Sequence, residues 1–327
     1  AVCVCLFNDL GVMLRQFLLL LGPLTVSTFK IPVLYDSTNN LHRDVNYHPE
    51  QPARIDVCLE ALKERTEVNP DFINLMDIAE TSPYKFSEEE LKHARSMLVE
   101  VHSERYVARI EKKCYNSRQQ RIDEGRDPLG FIGYLDQGDT YITTESYDVC
   151  LRATAAWIRA VDLSLESGNP AMALTRPPGH HATRALSNGF CVFNFCAAAA
   201  AHAVKKGLRV AVLDWDVHYG QGVADILKRY PEASYTSIHQ IPAFPYMGES
   251  ESITGEHENI KTIPITAETT WTCGYREAFT ENALPFVQQW KPDLVIVSSG
   301  YDALDSDELA SVSLQAVDYG KMTTALK

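Results

Sequence analysis

The sequence predicts an α/β protein, a single three-layer domain in which a central, mainly parallel sheet is flanked by helices. Three observations predict it. Short apolar runs without polar alternation, Ala171 to Leu174, Arg209 to Leu213 and Asp293 to Val297, have the pattern of strands buried on both faces. Helical text separates them, including the alanine-rich stretch Phe195 to Val204, whose small side chains suit close packing. Each run ends in a polar cluster, and in parallel sheets ligands sit beyond the carboxyl ends of the strands. With 327 residues, 45% hydrophobic and 22% charged, the chain has the composition of a folded domain with a full-sized core.

Along the chain, residues 1–29 are mostly apolar, with only Asp9 and Arg15 charged, and the run is too short to span a membrane. From Met13 the text has the order of a leader: Arg15, an apolar stretch from Phe17 to Val26, then the small residues Ser27 and Thr28. A targeting leader, a mispredicted segment (position 1 is Ala, not Met) and an ordinary buried first element are the three readings, and composition does not choose among them. Residues 30–327 carry the folded domain. Ile31 to Tyr35 is a first strand; Pro52 to Leu62 and Glu88 to Val101 have helical spacing, the second opened by a capping box of Ser87 and Glu90. Ser117 to Gly138 is polar and contains glycine, so a surface loop is expected there. Thr144 to Glu166 is a long helix stopped by Ser167-Gly168-Asn169-Pro170, and Tyr275 to Trp290 is again helical.

Charge narrows the function classes. Thirty basic against 43 acidic residues give −13, which argues against an electrostatic grip on nucleic acid or anionic lipid and favours a cationic substrate. The eight cysteines include no CxxC, so neither a zinc ribbon nor a disulfide framework is indicated, and buried or idle thiols are expected.

The polar clusters carry the chemistry: Arg176-Pro-Pro-Gly-His-His181, Asp214-Trp-Asp-Val-His218 and Ser298-Ser-Gly-Tyr-Asp302. Gathering these carboxylates and imidazoles at one sheet edge is costly unless a divalent metal neutralises them. Asp216 and His218 are two residues apart, so at a strand end their side chains share one side, and Asp302 closes the set. One nitrogen and two oxygen ligands with an open position suit catalytic zinc, while the ligand types also admit iron or manganese. Singly, Asp-x-His is more often a surface turn, and His-His after Pro-Pro-Gly marks only a loop.

Together the motifs are more specific. Arg176 to Ala182, Gly189-Phe-Cys-Val-Phe-Asn194, Asp214 to His218 with Gly220 and Gly222, Ser237-Ile-His239 and Gly300-Tyr-Asp-Ala303 resemble, in order and spacing, the zinc-dependent histone deacetylase family, in the wording of its class II branch and bacterial relatives. His48-Pro-Glu-Gln-Pro-Ala-Arg54 and Val101-His-Ser-Glu-Arg-Tyr106 also look like family segments, so the resemblance runs from about Lys30 to the last residue. It implies an arginase/deacetylase-like fold and hydrolysis of the acyl amide of acetyl-lysine on a histone or other protein, or of a small acetylated amine such as a polyamine. An inactive deacetylase-like binding module is the alternative. A binuclear arginase-type hydrolase is a third reading, weakened because Gly220 stands where that type has a carboxylate.

Carried over residue by residue, the resemblance implies Asp216, His218 and Asp302 as ligands of one Zn²⁺, His181 as general base and His180 as its electrostatic partner, with Asp214 hydrogen-bonded to His180. It implies a structural K⁺ held by Asp214, the Ser237 hydroxyl and the carbonyls of Asp216, His218 and Ile238. Phe190 is then one wall of the acyl channel, Phe244 (or Tyr246) the other, the Gly189 carbonyl an acceptor for the substrate amide, and Asp139 a rim carboxylate for the substrate backbone. Tyr219 and Gln221 depart from the family's usual histidine and Asp or Asn; Gln221, one methylene longer, is expected to hold His181 off its best geometry at a modest cost in rate. The family's Gly-rich loop with its oxyanion tyrosine or histidine lies beyond the third ligand. Ser313 to Met322 resembles the segment after Asp302, and the sequence then stops at Lys327, so a fragment of a longer product that binds metal and turns over feebly is the expectation. Nucleus or cytoplasm is implied by the family, an organelle by a genuine leader.

Overall fold

The protein, seen in a computed structural model, is described over residues 2–7 and 30–326. Its principal elements in chain order are β1 (Val2–Phe7), β2 (Ile31–Tyr35), α1 (Ala53–Val68), β3 (Ile73–Asp77), α2 (Glu88–Val101), α3 (Glu104–Asp123), β4 (Phe131–Tyr134), β5 (Tyr141–Thr143), α4 (Ser146–Ser167), β6 (Ala171–Leu174), α5 (Phe195–Lys205), β7 (Val210–Asp214), α6 (Gln221–Leu227), β8 (Ala233–Ile241), β9 (Ser252–Thr254), β10 (Ile260–Thr266), α7 (Leu284–Gln289), β11 (Leu294–Gly300) and α8 (Ala316–Ala325). Among the described residues, nine strands form one sheet in the order β3-β2-β6-β1-β11-β7-β8-β10-β9, parallel throughout except at the edge strand β9. Strand β1 pairs on one side with β6 and on the other with β11, Cys3 standing opposite Ala171 and Ile296. The leader expected over residues 13–29 lies outside the described residues.

Two apolar clusters cover the two faces. Val210, Val212, Leu294 and Ile296 pack with side chains of α2, α3, α4 and α5, whereas Leu213 and Val297 pack with Ile55 and Leu62 of α1 and Tyr319 and Met322 of α8. Alternate residues of one strand thus feed opposite layers, which is why β7 and β11 are continuous apolar runs. The arginase/deacetylase-like three-layer class is the fold observed.

Local signals set most boundaries. The Ser87 hydroxyl accepts from Glu90 N (3.2 Å) while the Glu90 carboxylate accepts from Ser87 N (2.8 Å), closing the capping box of α2. Gly168, at φ 67°, ends α4. Helix α1 runs on to Val68, beyond the expected Leu62. The expected loop over Ser117 to Gly138 is corrected: α3 continues through it to Asp123, and β4 follows. Tyr106, Val107, Ile110 and Cys114 bury one face of α3, and i,i+4 bonds from Gln119 to Asp123 and from Gln120 to Glu124 hold its polar last turns. Tyr275 to Trp290 is helical but not uniform: Tyr275–Glu277 passes into a π-helical stretch, Ala278–Ala283, before α7, where Pro285 has no N–H to give.

Cys58, Cys114, Cys150, Cys191 and Cys196 are buried thiols, and Cys273 is exposed. Among the described residues no helix is long and apolar enough to cross a membrane.

Candidate active site

Strands β6, β7 and β11 stop at the same edge of the sheet, and the three polar clusters follow them. After Asp214 the backbone wraps around carboxylates. Asp216 N donates to Asp214 Oδ1 (3.1 Å), Val217 N to Asp302 Oδ1 (2.8 Å) and His218 N to Asp216 Oδ1 (2.8 Å). The His218 Nδ1 then lies 3.1 Å from Asp216 Oδ1 and 2.8 Å from Asp302 Oδ2. The expected reason for this convergence, strand alternation, is corrected: β7 ends at Asp214, and the turn brings Asp216 and His218 to one side. Glycines make room. A Cβ at Gly220 would stand 2.7 Å from Asp214 Oδ2 and 3.0 Å from His180 Nδ1, and one at Gly300 would stand 2.5 Å from Asp216 Cγ.

The two adjacent imidazoles are held by different partners. His180 Nδ1 is 3.0 Å from Asp214 Oδ2, which also accepts from the Tyr235 hydroxyl (2.9 Å). His181 Nδ1 is 2.6 Å from Gln221 Oε1 at the start of α6. The longer glutamine therefore reaches the ring. Ring centroids of His180 and His181 are 3.9 Å apart.

Arg176 anchors the loop that carries both. It is fully buried, makes a two-pronged pair with Glu50 (Nε–Oε1 2.8 Å, Nη2–Oε2 2.7 Å) and donates to the carbonyls of Asn39 and His42. Burial alone would raise the Glu50 carboxyl, but the Arg176, His42 and Arg54 charges outweigh it and hold it at about 2. Removing one partner strands the other charge, so Glu50→Gln or Arg176→Met is expected to cost about 3–5 kcal/mol, read as a lowered urea midpoint. For wild type this stabilisation is complete above the ordinary carboxyl value of 4.5 and is lost as pH falls toward 2, so the midpoint should fall over that window.

A cavity of about 260 Å³ opens onto the edge, lined by Arg54, Asp139, Pro178, His180, His181, Gly189, Phe190, Phe244 and Leu309 together with Asp216, His218 and Asp302. Phe244 meets the His181 ring edge-on at 4.8 Å and lines the cavity, whereas Tyr246 is 73% exposed and lies off the lining. A Cβ on Gly189, itself at φ +49°, would come within 2.8 Å of Phe244 Cε1. The Gly189 carbonyl accepts from the Cys191 thiol (3.2 Å). Of the residues named for K⁺, Ser237 stands opposite Asp214 in the β7–β8 ladder, with Ile238 next along β8, and Asp216 and His218 lie in the turn beyond. The Ser237 hydroxyl is 3.0 Å from His239 Nδ1. Tyr301 and Tyr319 are fully buried and neither lines the cavity; Tyr219 packs on His239 at 4.8 Å. Arg54 and Leu309 also line the cavity, and neither is among the site residues that the motifs imply. Arg54 closes the His48 to Arg54 segment and could have been found there; nothing local marks Leu309.

The electrostatics suit a cation. Burial lowers the His180 pKa, but Asp216 and Asp214 more than reverse this and lift it to about 9. His181, buried and facing the positive His180 and His218, is held well below 6.5. Burial and the neighbouring Asp216 push the Asp302 carboxyl up. One ligand atom from each of Asp216, His218 and Asp302 lies within 4.8 Å of the others, and these buried carboxylates with an imidazole could hold a divalent metal.

A parallel-sheet domain with a His pair, a three-residue donor group and a narrow cavity at one strand edge defines a metal-site hydrolase. The histone deacetylase domain family matches residues 48–327, and the chain belongs to that family of hydrolytic, metal-dependent deacetylases. It is 36% identical over 295 residues to an uncharacterized Synechocystis protein, covering 90% of this chain and 88% of that one. It is 32% identical over 306 residues to Histone deacetylase 14, chloroplastic, of Arabidopsis thaliana, covering 90% and 68%. Among solved structures, the HDA15 HD domain superposes with a TM-score of 0.75 at 24% identity over 92% of this chain and 80% of that one. An acetylpolyamine aminohydrolase from Burkholderia pseudomallei does so at 0.71 and 21% over 91% and 90%, and both share the fold.

Proposed function

We propose that the chain hydrolyses the acyl amide of acetyl-lysine on a histone or other protein, releasing acetate and the free lysine. The observation that carries this is the convergence, on one narrow cavity walled by Phe190 and Phe244, of a neutral histidine, a charged histidine and a metal donor group. Asp216, His218 and Asp302 would hold one Zn²⁺, which when bound polarises the amide carbonyl and lowers the pKa of water. His181 gives its Nδ1 hydrogen to Gln221, so Nε2 presents a lone pair to the cavity. That nitrogen takes the water proton and returns it to the leaving amine. His180, fixed by Asp214, holds positive charge beside the reacting carbonyl, where negative charge develops. Phe190 and Phe244 exclude water around the lysine methylenes, the Gly189 carbonyl accepts the substrate amide hydrogen, and Asp139 at the lining takes backbone N–H groups of the substrate. Asp214, Ser237 and the carbonyls of Asp216, His218 and Ile238 would hold a structural K⁺ behind the His180 support.

A small acetylated amine is the second reading, favoured by the net charge of −13 and the carboxylate at the cavity lining, and in keeping with the name of the Burkholderia fold relative, an acetylpolyamine aminohydrolase. Acetyl-lysine peptides and acetylated polyamines, assayed side by side by release of acetate, separate the two. Chelation is expected to remove activity and one equivalent of metal together, with Zn²⁺ restoring both. A protein that keeps full zinc and hydrolyses neither substrate is a binding module, and the proposal falls.

A further inference from the structure

The channel wall Phe190 adopts a backbone conformation that bulky residues avoid. Its φ of +68° follows the +49° of Gly189, and a phenylalanine stays left-handed only where its surroundings impose it. Two constraints hold it: the Asn188 and Cys191 backbones close the turn (Asn188 N to Cys191 O 3.2 Å, Cys191 N to Asn188 O 2.9 Å), and Phe190 N donates to Thr140 Oγ1 at 3.1 Å. Thr140 is fully buried, and its N donates to Asp136 Oδ1 (2.8 Å). Asp136 Oδ1 also accepts from Gly138 N (3.2 Å) and Asp139 N (2.9 Å). One carboxylate therefore fixes the turn that sets Asp139 at the cavity, and Thr140 carries that fixation across to Phe190. A hydroxyl can accept the Phe190 N–H, which no apolar side chain of the same shape can do. His48, edge-on to the Phe190 ring at 4.9 Å, supports the ring and not its backbone.

We propose that Thr140 is a positioning residue for the channel, setting the Phe190 wall and the Asp139 rim as one unit and so governing entry of the acylated side chain rather than the chemical step. The kinetic consequence rests on the deacetylase reading; the structural one does not. Thr140→Val keeps the shape and removes the acceptor for Phe190 N, whereas Thr140→Ser keeps it. In Thr140→Val, KM for an acetyl-lysine peptide should rise about tenfold with kcat within about threefold, the loss of one buried hydrogen bond and the ordering it imposes. Thr140→Ser should restore KM, and crystal structures should show Phe190 N drawn away from residue 140 in the valine variant and hydrogen-bonded to it in the serine variant. Unchanged KM in the valine variant, a kcat loss without a KM change, or an equal defect in Thr140→Ser would overturn the proposal. If the valine variant does not fold, Thr140→Ala is read by the same criteria. If the wild-type protein hydrolyses no acyl amide, the function fails separately, and the position of Phe190 in the variant structures still decides the role of Thr140.

Discussion

Each of Asp216→Ala, His218→Ala and Asp302→Ala is expected to give a protein that retains no stoichiometric metal and hydrolyses acetyl-lysine at the background rate of the assay. Outer partners of metal ligands are typically worth about 10 to 100-fold in affinity, and loss of a ligand itself should exceed that. The remaining groups also lose their compensation. Asp216 and Asp302 are buried, and with the His218 imidazole gone they face each other across the turn. Asp302 has a second function that a careful test must separate, because its Oδ1 accepts from Val217 N and so shapes the turn. Asp302→Asn can keep that bond while weakening the ligand, so loss of metal with an intact fold is the expected result there. Elemental analysis with circular dichroism reads both. Full zinc occupancy in any of the three alanine variants would sink the assignment.

How much of this was legible in the sequence depends on whether the determining contacts are local. Strands β6, β7 and β11 were legible because both faces are buried, so Ala171 to Leu174, Val210 to Leu213 and Leu294 to Val297 are apolar whichever layer each residue feeds, as Val212 and Leu213 do in turn. The end of α3 was not, since its last turns are polar and depend on i,i+4 pairs that look like loop text. Nothing near Val2–Phe7 signals that this strand enters the sheet between β6 and β11, whose pairing residues lie far along the chain. At the site, Asp216, His218 and Asp302 could be named from short motifs, and the structure brings them together, although through a turn rather than strand alternation. Thr140 could not, because its meaning lies in a bond to a residue 50 positions away. Leu309 likewise enters the cavity from a loop tied down by Asp307, whose Oδ1 accepts from Leu309 N and Ala310 N, an arrangement with no periodicity to detect.

His181→Ala should leave metal content unchanged and lower kcat by about 10² to 10⁴, the usual cost of losing a general base. The pH profile gives the finer test. Burial and the positive charge of His180 keep His181 neutral through the physiological range, so the wild-type rate should fall only at pH well below 6.5, where Nε2 acquires a proton. On the alkaline side, His180 loses its charge as pH rises through about 9, and the rate should decline there. Gln221→Glu places a carboxylate where the amide oxygen now lies 2.6 Å from His181 Nδ1, favouring the imidazolium and moving the acid limb to higher pH. A metal-replete His181→Ala protein with undiminished kcat would transfer the proton role to His180. A Gln221→Glu profile with an unmoved acid limb would show that the limb belongs to another group.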